Sequence, residues 1–191
     1  MKATIFLTFL LAGASFLYSY SPEAIRMTVP SYKMSKFRSS GSMPYPPIRI
    51  VIDKSDYELY VYDSKGWFAT YPVVFGSSSL DDKKMEGDKK TPEGNFKIIN
   101  KKPHNKWSRF MLIDYPNQES LAKFNERKRR GEIPKGAKPG GGVGIHGTWP
   151  RDDYIVDRYK NWTLGCISLK NEDMVDLYSY IPTGTPVHIK R

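Results

Sequence analysis

Two short apolar runs, 48–53 (IRIVID) and 57–63 (YELYVYD), open the patterned part of the chain. Both are rich in β-branched and aromatic residues, and the polar KSD between them marks a strand pair. A third run, 67–76 (WFATYPVVFG), follows SKG and extends the pair to a meander. The polar stretch 77–94 breaks the pattern as a loop, after which 95–102 (NFKIINKK) and 107–116 (WSRFMLIDYP) again read as strands. The period then changes. Residues 117–131 predict a helix, with Leu121 and Phe124 on an apolar stripe and Gly131 as its stop. A glycine-rich loop, 135–142, leads into 143–149 (VGIHGTW), short and apolar enough for a strand end. Residues 171–181 predict a second helix, capped by Asn171, with acids in its first turn and Val175, Leu177 and Tyr178 to bury. The closing TPVHIKR reads as a final strand. The pattern therefore predicts a mostly β domain with two short helices.

The amino-terminal segment is different in kind. Lys2 precedes an apolar run from Ala3 to Leu17 with small residues at Ala12, Gly13, Ala14 and Ser19. That predicts a signal peptide over 1–20, with an uncleaved membrane anchor as the alternative. Residues 21–47 have no period and are rich in Ser, Pro and Met, which suits a linker or extended arm; the folded domain is expected over 48–191. Either reading of the leader places the protein outside the cytoplasm, in the periplasm or cell envelope.

The net charge of +10 changes this picture little. Nucleic acid is the ordinary partner of a basic chain, but an exported protein rarely meets it. The charge is also scattered: 81–90 mixes signs, and only ERKRR (126–130) is a basic cluster. No nucleic-acid partner is expected, and the basic surface suits loose association with anionic lipid or wall polymer.

Candidate chemistry is sparse. The chain has one cysteine, Cys166, and three histidines. His188 alternates with apolar residues in the last strand, and His104 lies in a polar turn. His146 sits in GIHGTW, where flanking glycines let the backbone approach a ligand. A thiol becomes a good nucleophile once deprotonated, and an imidazole can take its proton. Strand ends joined by the long loop from Thr148 to Thr163 would bring His146 to Cys166, and the glycine before Cys166 would turn backbone amides toward an oxyanion. On spacing alone a buried, inert cysteine remains an equal reading. The ligand spacing of a zinc site is lacking, and GVGIHG (142–147) follows a loop where a dinucleotide fingerprint needs a strand. Neither metal nor cofactor is expected.

Three motifs in order add to this: MEGDKKTPEGNFKI (85–98), IHGTW (145–149) and TLGCISL (163–169). Together they resemble the L,D-transpeptidases of bacterial cell walls, the YkuD-type catalytic domain, from about Ile48 to Arg191. The resemblance implies a YkuD-type β-sandwich with a few short helices. It implies Cys166 as the nucleophile on a peptidoglycan stem peptide and His146 as the general base. It places Gly165 and the Cys166 amide at the oxyanion hole, with Thr163 and Gly147 shaping the site. A thioester would then be resolved by the amine of a second stem, forming a cross-link, or by water, making the protein an L,D-carboxypeptidase or amidase. Substrate contacts are expected from Thr148, Trp149, Arg151 and Ser168. Two positions depart from the family pattern: Leu164 stands where many members have His, and Ser168 where many have an Arg suited to an anionic substrate group. Arg151, Arg158 and Lys170 are candidates to replace that arginine.

Overall fold

The structure is a computed structural model that describes residues 34–39 and 41–191; the apolar leader and the first part of the arm lie outside them. Among the described residues, nine strands and three helices follow in the order β1 (Lys36–Phe37), β2 (Arg49–Asp53), β3 (Glu58–Asp63), β4 (Gly66–Pro72), β5 (Gly94–His104), β6 (Ser108–Ile113), α1 (Gln118–Arg129), β7 (Gly144–His146), α2 (Tyr154–Asp157), β8 (Ile167–Ser168), α3 (Asn171–Tyr180) and β9 (Pro186–Lys190). The strands join in one sheet, ordered β1-β4-β3-β2-β9-β5-β6-β7-β8.

The two layers of the expected sandwich are two halves of this sheet. The strand β5 passes between them: Gly94–Lys97 pair with β9, whereas Ile98–His104 pair with β6. The register slips between Ile98 and Asn100, the kind of irregularity that bends a strand. Apolar side chains from both halves then meet in a single core. It includes Ile52, Leu59 and Phe68 from one half and Ile98, Met111 and Ile145 from the other. Alternation explains the choice of faces, since β3 reads intermediate and buried by turns along its six residues.

Several expectations change in detail. The third run does not stay in the meander to residue 76. It ends at Pro72, which has no N–H to continue a ladder, and Val74 instead exchanges two backbone hydrogen bonds with Ser168 (2.9 and 2.8 Å). Asn117 caps α1 by accepting from the Ser120 N–H at 3.0 Å. Phe124 is buried there, but Leu121 is exposed. In α3 the cap position belongs to Lys170, and Asn171 is the first helical residue. Met174 and Leu177 enter the core while Val175 faces solvent, so the apolar face is rotated from the expected one. A third helix, α2, interrupts the loop expected between Thr148 and Thr163. The arm also carries structure: β1 pairs with β4, and Arg38 grips Asp63 through two bonds of 2.9 and 2.7 Å.

Candidate active site

The parallel pairing of β7 with β8 fixes the centre of the site. Ile145 lies opposite Ile167, and His146 opposite Ser168. Both isoleucines are in the core, so alternation turns His146 and Cys166 to the other side. There a cavity of about 840 Å³ is lined by both.

His146 is buried among rings. Trp107 stacks on it at 4.5 Å and 23°, Phe110 at 6.0 Å and 14°, and Trp162 meets it edge-on at 5.6 Å. Trp107 and His104 come from the tip of the β5–β6 hairpin, where His104 stacks on Trp107 at 4.4 Å. The imidazole Nδ1 lies 2.6 Å from the Gly147 carbonyl oxygen. A carbonyl only accepts, so Nδ1 carries the proton and Nε2 keeps its lone pair. Burial pushes the pKa of His146 down to about 4, against the raising effect of the Gly147 bond. The ring is therefore neutral at pH 7 and holds a base at Nε2.

The turn before Cys166 is organised by Thr163. Its Oγ1 donates to the Cys166 carbonyl at 2.7 Å and accepts the Gly165 N–H at 3.1 Å. Gly165 has φ +137°, and a Cβ there would stand 2.8 Å from the Lys90 carbonyl oxygen, so only glycine fits. Because its amide is taken by Thr163, Gly165 does not present a free donor to an oxyanion. The Cys166 amide has no partner among the described residues. The thiol contacts the Gly142 carbonyl at 3.7 Å. Burial pushes the Cys166 thiol up, opposed by the Gly144 N–H and by the charge of Lys83.

The remaining expected residues separate into two groups. Trp149 lines the cavity, as does the exposed Leu164. Thr148 is wholly buried behind it: its hydroxyl donates to Asp153 at 2.5 Å and accepts the Asn171 side-chain amide at 2.9 Å. Gly147 is pinned where a Cβ would meet the Trp107 carbonyl oxygen at 2.8 Å. Ser168 is also buried and donates to the Gly147 carbonyl at 3.3 Å, the same oxygen that orients His146. None of Arg151, Arg158 or Lys170 lines the cavity; Lys170 is paired with Asp157 at 2.5 Å. The lysines that do line it are Lys83, Lys89 and Lys102. No local pattern pointed to Lys83, Trp107 or Trp162, because long-range packing alone brings them to the site. His104, expected in a solvated turn, is instead part of the aromatic wall.

The profile of the YkuD L,D-transpeptidase catalytic domain matches residues 47–189, and the chain belongs to that family. No curated protein matches it. Among solved structures it is similar to the helical cell shape determining protein Pgp2 from Campylobacter jejuni, at 25% identity and TM-score 0.54, over 75% of this chain and 47% of that one. Bd1075 from Bdellovibrio bacteriovorus matches at 22% identity and TM-score 0.51, over 84% and 52% of the two chains. L,D-transpeptidase 3 from Mycobacterium tuberculosis shares the fold at 13% identity and TM-score 0.50, over 75% and 61%. The chain spans about half the length of the first two.

Proposed function

We infer that the protein is a peptidoglycan L,D-transpeptidase that works through a Cys166 thioester in the cell envelope, outside the cytoplasmic membrane. The observation that carries this reading is the single cavity lined by both Cys166 and a neutral His146 whose free nitrogen is Nε2. The apolar leader supports the location.

The chemistry follows from the two groups. As Sγ attacks the carbonyl before a terminal D-amino acid, Nε2 of His146 takes the thiol proton. The Cys166 N–H faces the oxygen that gains charge. The imidazolium then returns its proton to the leaving amine, and a thioester remains. The side-chain amine of a second stem attacks that thioester and Nε2 accepts its excess proton; the C–S bond breaks, an amide cross-link forms, and the Cys166 thiolate released takes the proton back from the imidazolium. Water at the same step would give a shortened stem instead. Trp107 and Trp162 line the cavity beside His146, and their rings suit packing against the apolar parts of a stem peptide. Lysines on the lining suit the carboxylates of stem peptides.

Incubation with tetrapeptide muropeptides, followed by mass analysis, tests the reading. The expected product is a dimer lacking one terminal D-alanine, and Cys166→Ala is expected to abolish it. Tripeptide monomer alone would replace the transferase by the carboxypeptidase, and activity surviving in Cys166→Ala would remove the thiol mechanism.

A further inference from the structure

The loop 83–91, which holds the first half of the motif at 85–98 that pointed to the family, packs directly on the nucleophile's turn. The Lys90 carbonyl oxygen leaves no room for a side chain at Gly165. Asp88 is the hub of this loop. It accepts the backbone N–H groups of Lys84 (2.6 Å), Met85 (3.0 Å) and Lys90 (3.0 Å), and the ammonium of Lys83 at 2.7 Å. Lys83 also donates to the Met85 carbonyl at 3.0 Å and is only 6% exposed. A lysine is seldom buried to that degree unless its charge is used or paired.

The ammonium is held at the Cys166 end of the cavity. Lys83 Nζ stands 3.9 Å from the point a Gly165 Cβ would occupy, and it lines the cavity with the sulfur. We propose that Lys83 is the electrostatic partner of Cys166, a positioning residue that favours the thiolate at the moment the sulfur attacks. This rests on Cys166 being the nucleophile and deepens that reading. The proton still goes from Sγ to Nε2 of His146, and the charge left on sulfur faces the ammonium. His146 is neutral before the step, so it brings no positive charge of its own to start the ionisation. The other ionisable groups on the cavity are Glu86, Lys89 and Lys102, all exposed to solvent where charge is screened, and the half-buried His104. Asp88 tempers the lysine and fixes its position.

Because Cys166 is the only cysteine in the chain, alkylation by iodoacetamide reads its ionisation directly. In Lys83→Met the midpoint of the alkylation rate against pH is expected to rise by about one unit, roughly tenfold slower reaction at neutral pH. Lys83→Arg is expected to keep the midpoint near that of the parent protein. Asp88→Asn, which retains an acceptor oxygen for the loop but removes the counter-charge, is expected to lower it. An unchanged midpoint in Lys83→Met would overturn the proposal. If that variant does not fold, a midpoint in Asp88→Asn that stays put or rises would overturn it equally. Alkylation needs no turnover, so this outcome is independent of whether Cys166→Ala abolishes the muropeptide reaction.

Discussion

His146 shows how one side chain is tuned by what covers it. Neutral imidazole is the form that can accept a proton, and its folded pKa of about 4 keeps that form dominant well below neutrality. The acid limb of kcat/KM is therefore expected near pH 4 to 5, not near the ordinary imidazole value of about 6.5. Trp107 supplies the stacked ring that keeps water away. Trp107→Ala should let solvent reach the imidazole and move the acid limb up by about 1 to 2 units, while Trp107→Phe should hold it closer to the parent value. A limb that does not move with Trp107→Ala would mean that burial by this ring is not what depresses the base. The sequence singled out His146 and Cys166 because glycines and a family motif surround them. It could not single out Trp107, whose own neighbours are polar turn residues and whose role exists only once the hairpin tip folds over β7.

At the scale of elements, the site depends on a junction between the loop after β7 and the start of α3. Asp153 is its centre: one carboxylate oxygen accepts from the Thr148 hydroxyl (2.5 Å), the Asn171 N–H (2.9 Å) and the Asn171 side-chain amide (3.1 Å). Asn171 therefore enters this junction as a donor, through its backbone N–H and its side-chain amide, and stands as the first helical residue, not as the cap its residue type suggests. Asp153→Ala would leave both partners without that charged acceptor, at a cost of about 2 to 3 kcal/mol. For a chain of this length that corresponds to a melting temperature lower by roughly 4 to 12 °C, with kcat/KM reduced because Trp149 adjoins the freed Thr148. A shift under about 1 °C would show the network to be idle. The same scale separates what the sequence could show from what it could not. The runs that became β2, β3, β5 and β6 are long enough for alternation to be read. The two-residue β1 and β8 and the four-residue α2 have no period to read. They exist because neighbours pair with them: β8 is held by β7 on one side and by Val74 on the other.

Across the whole molecule, the strand that ties the meander to β5, and through it to the other half of the sheet, comes last in the chain. β9 runs parallel to β2 and antiparallel to β5, with Ile189 opposite Ile52 on one side and Gly94 on the other. The meander β2-β3-β4 can form early from local contacts, but its sheet pairing toward the half that carries Cys166 and His146 runs through this late, non-local strand, joined by the Val74–Ser168 contact and the shared core. Ile189 is 1% exposed, so Ile189→Ala removes three buried carbons at the seam. The expected cost is about 2 to 5 kcal/mol. Val175→Ala on the exposed face of α3 serves as the control and should stay within about 0.5 kcal/mol. Denaturant titration followed at once by tryptophan fluorescence and by Cys166 alkylation tests the argument. All four tryptophans and the thiol should report one transition at a lower midpoint if β9 unites the halves. If the thiol becomes reactive well before the fluorescence changes, the catalytic half is opening alone, and β9 is an edge contact of that half, not the seam of the fold.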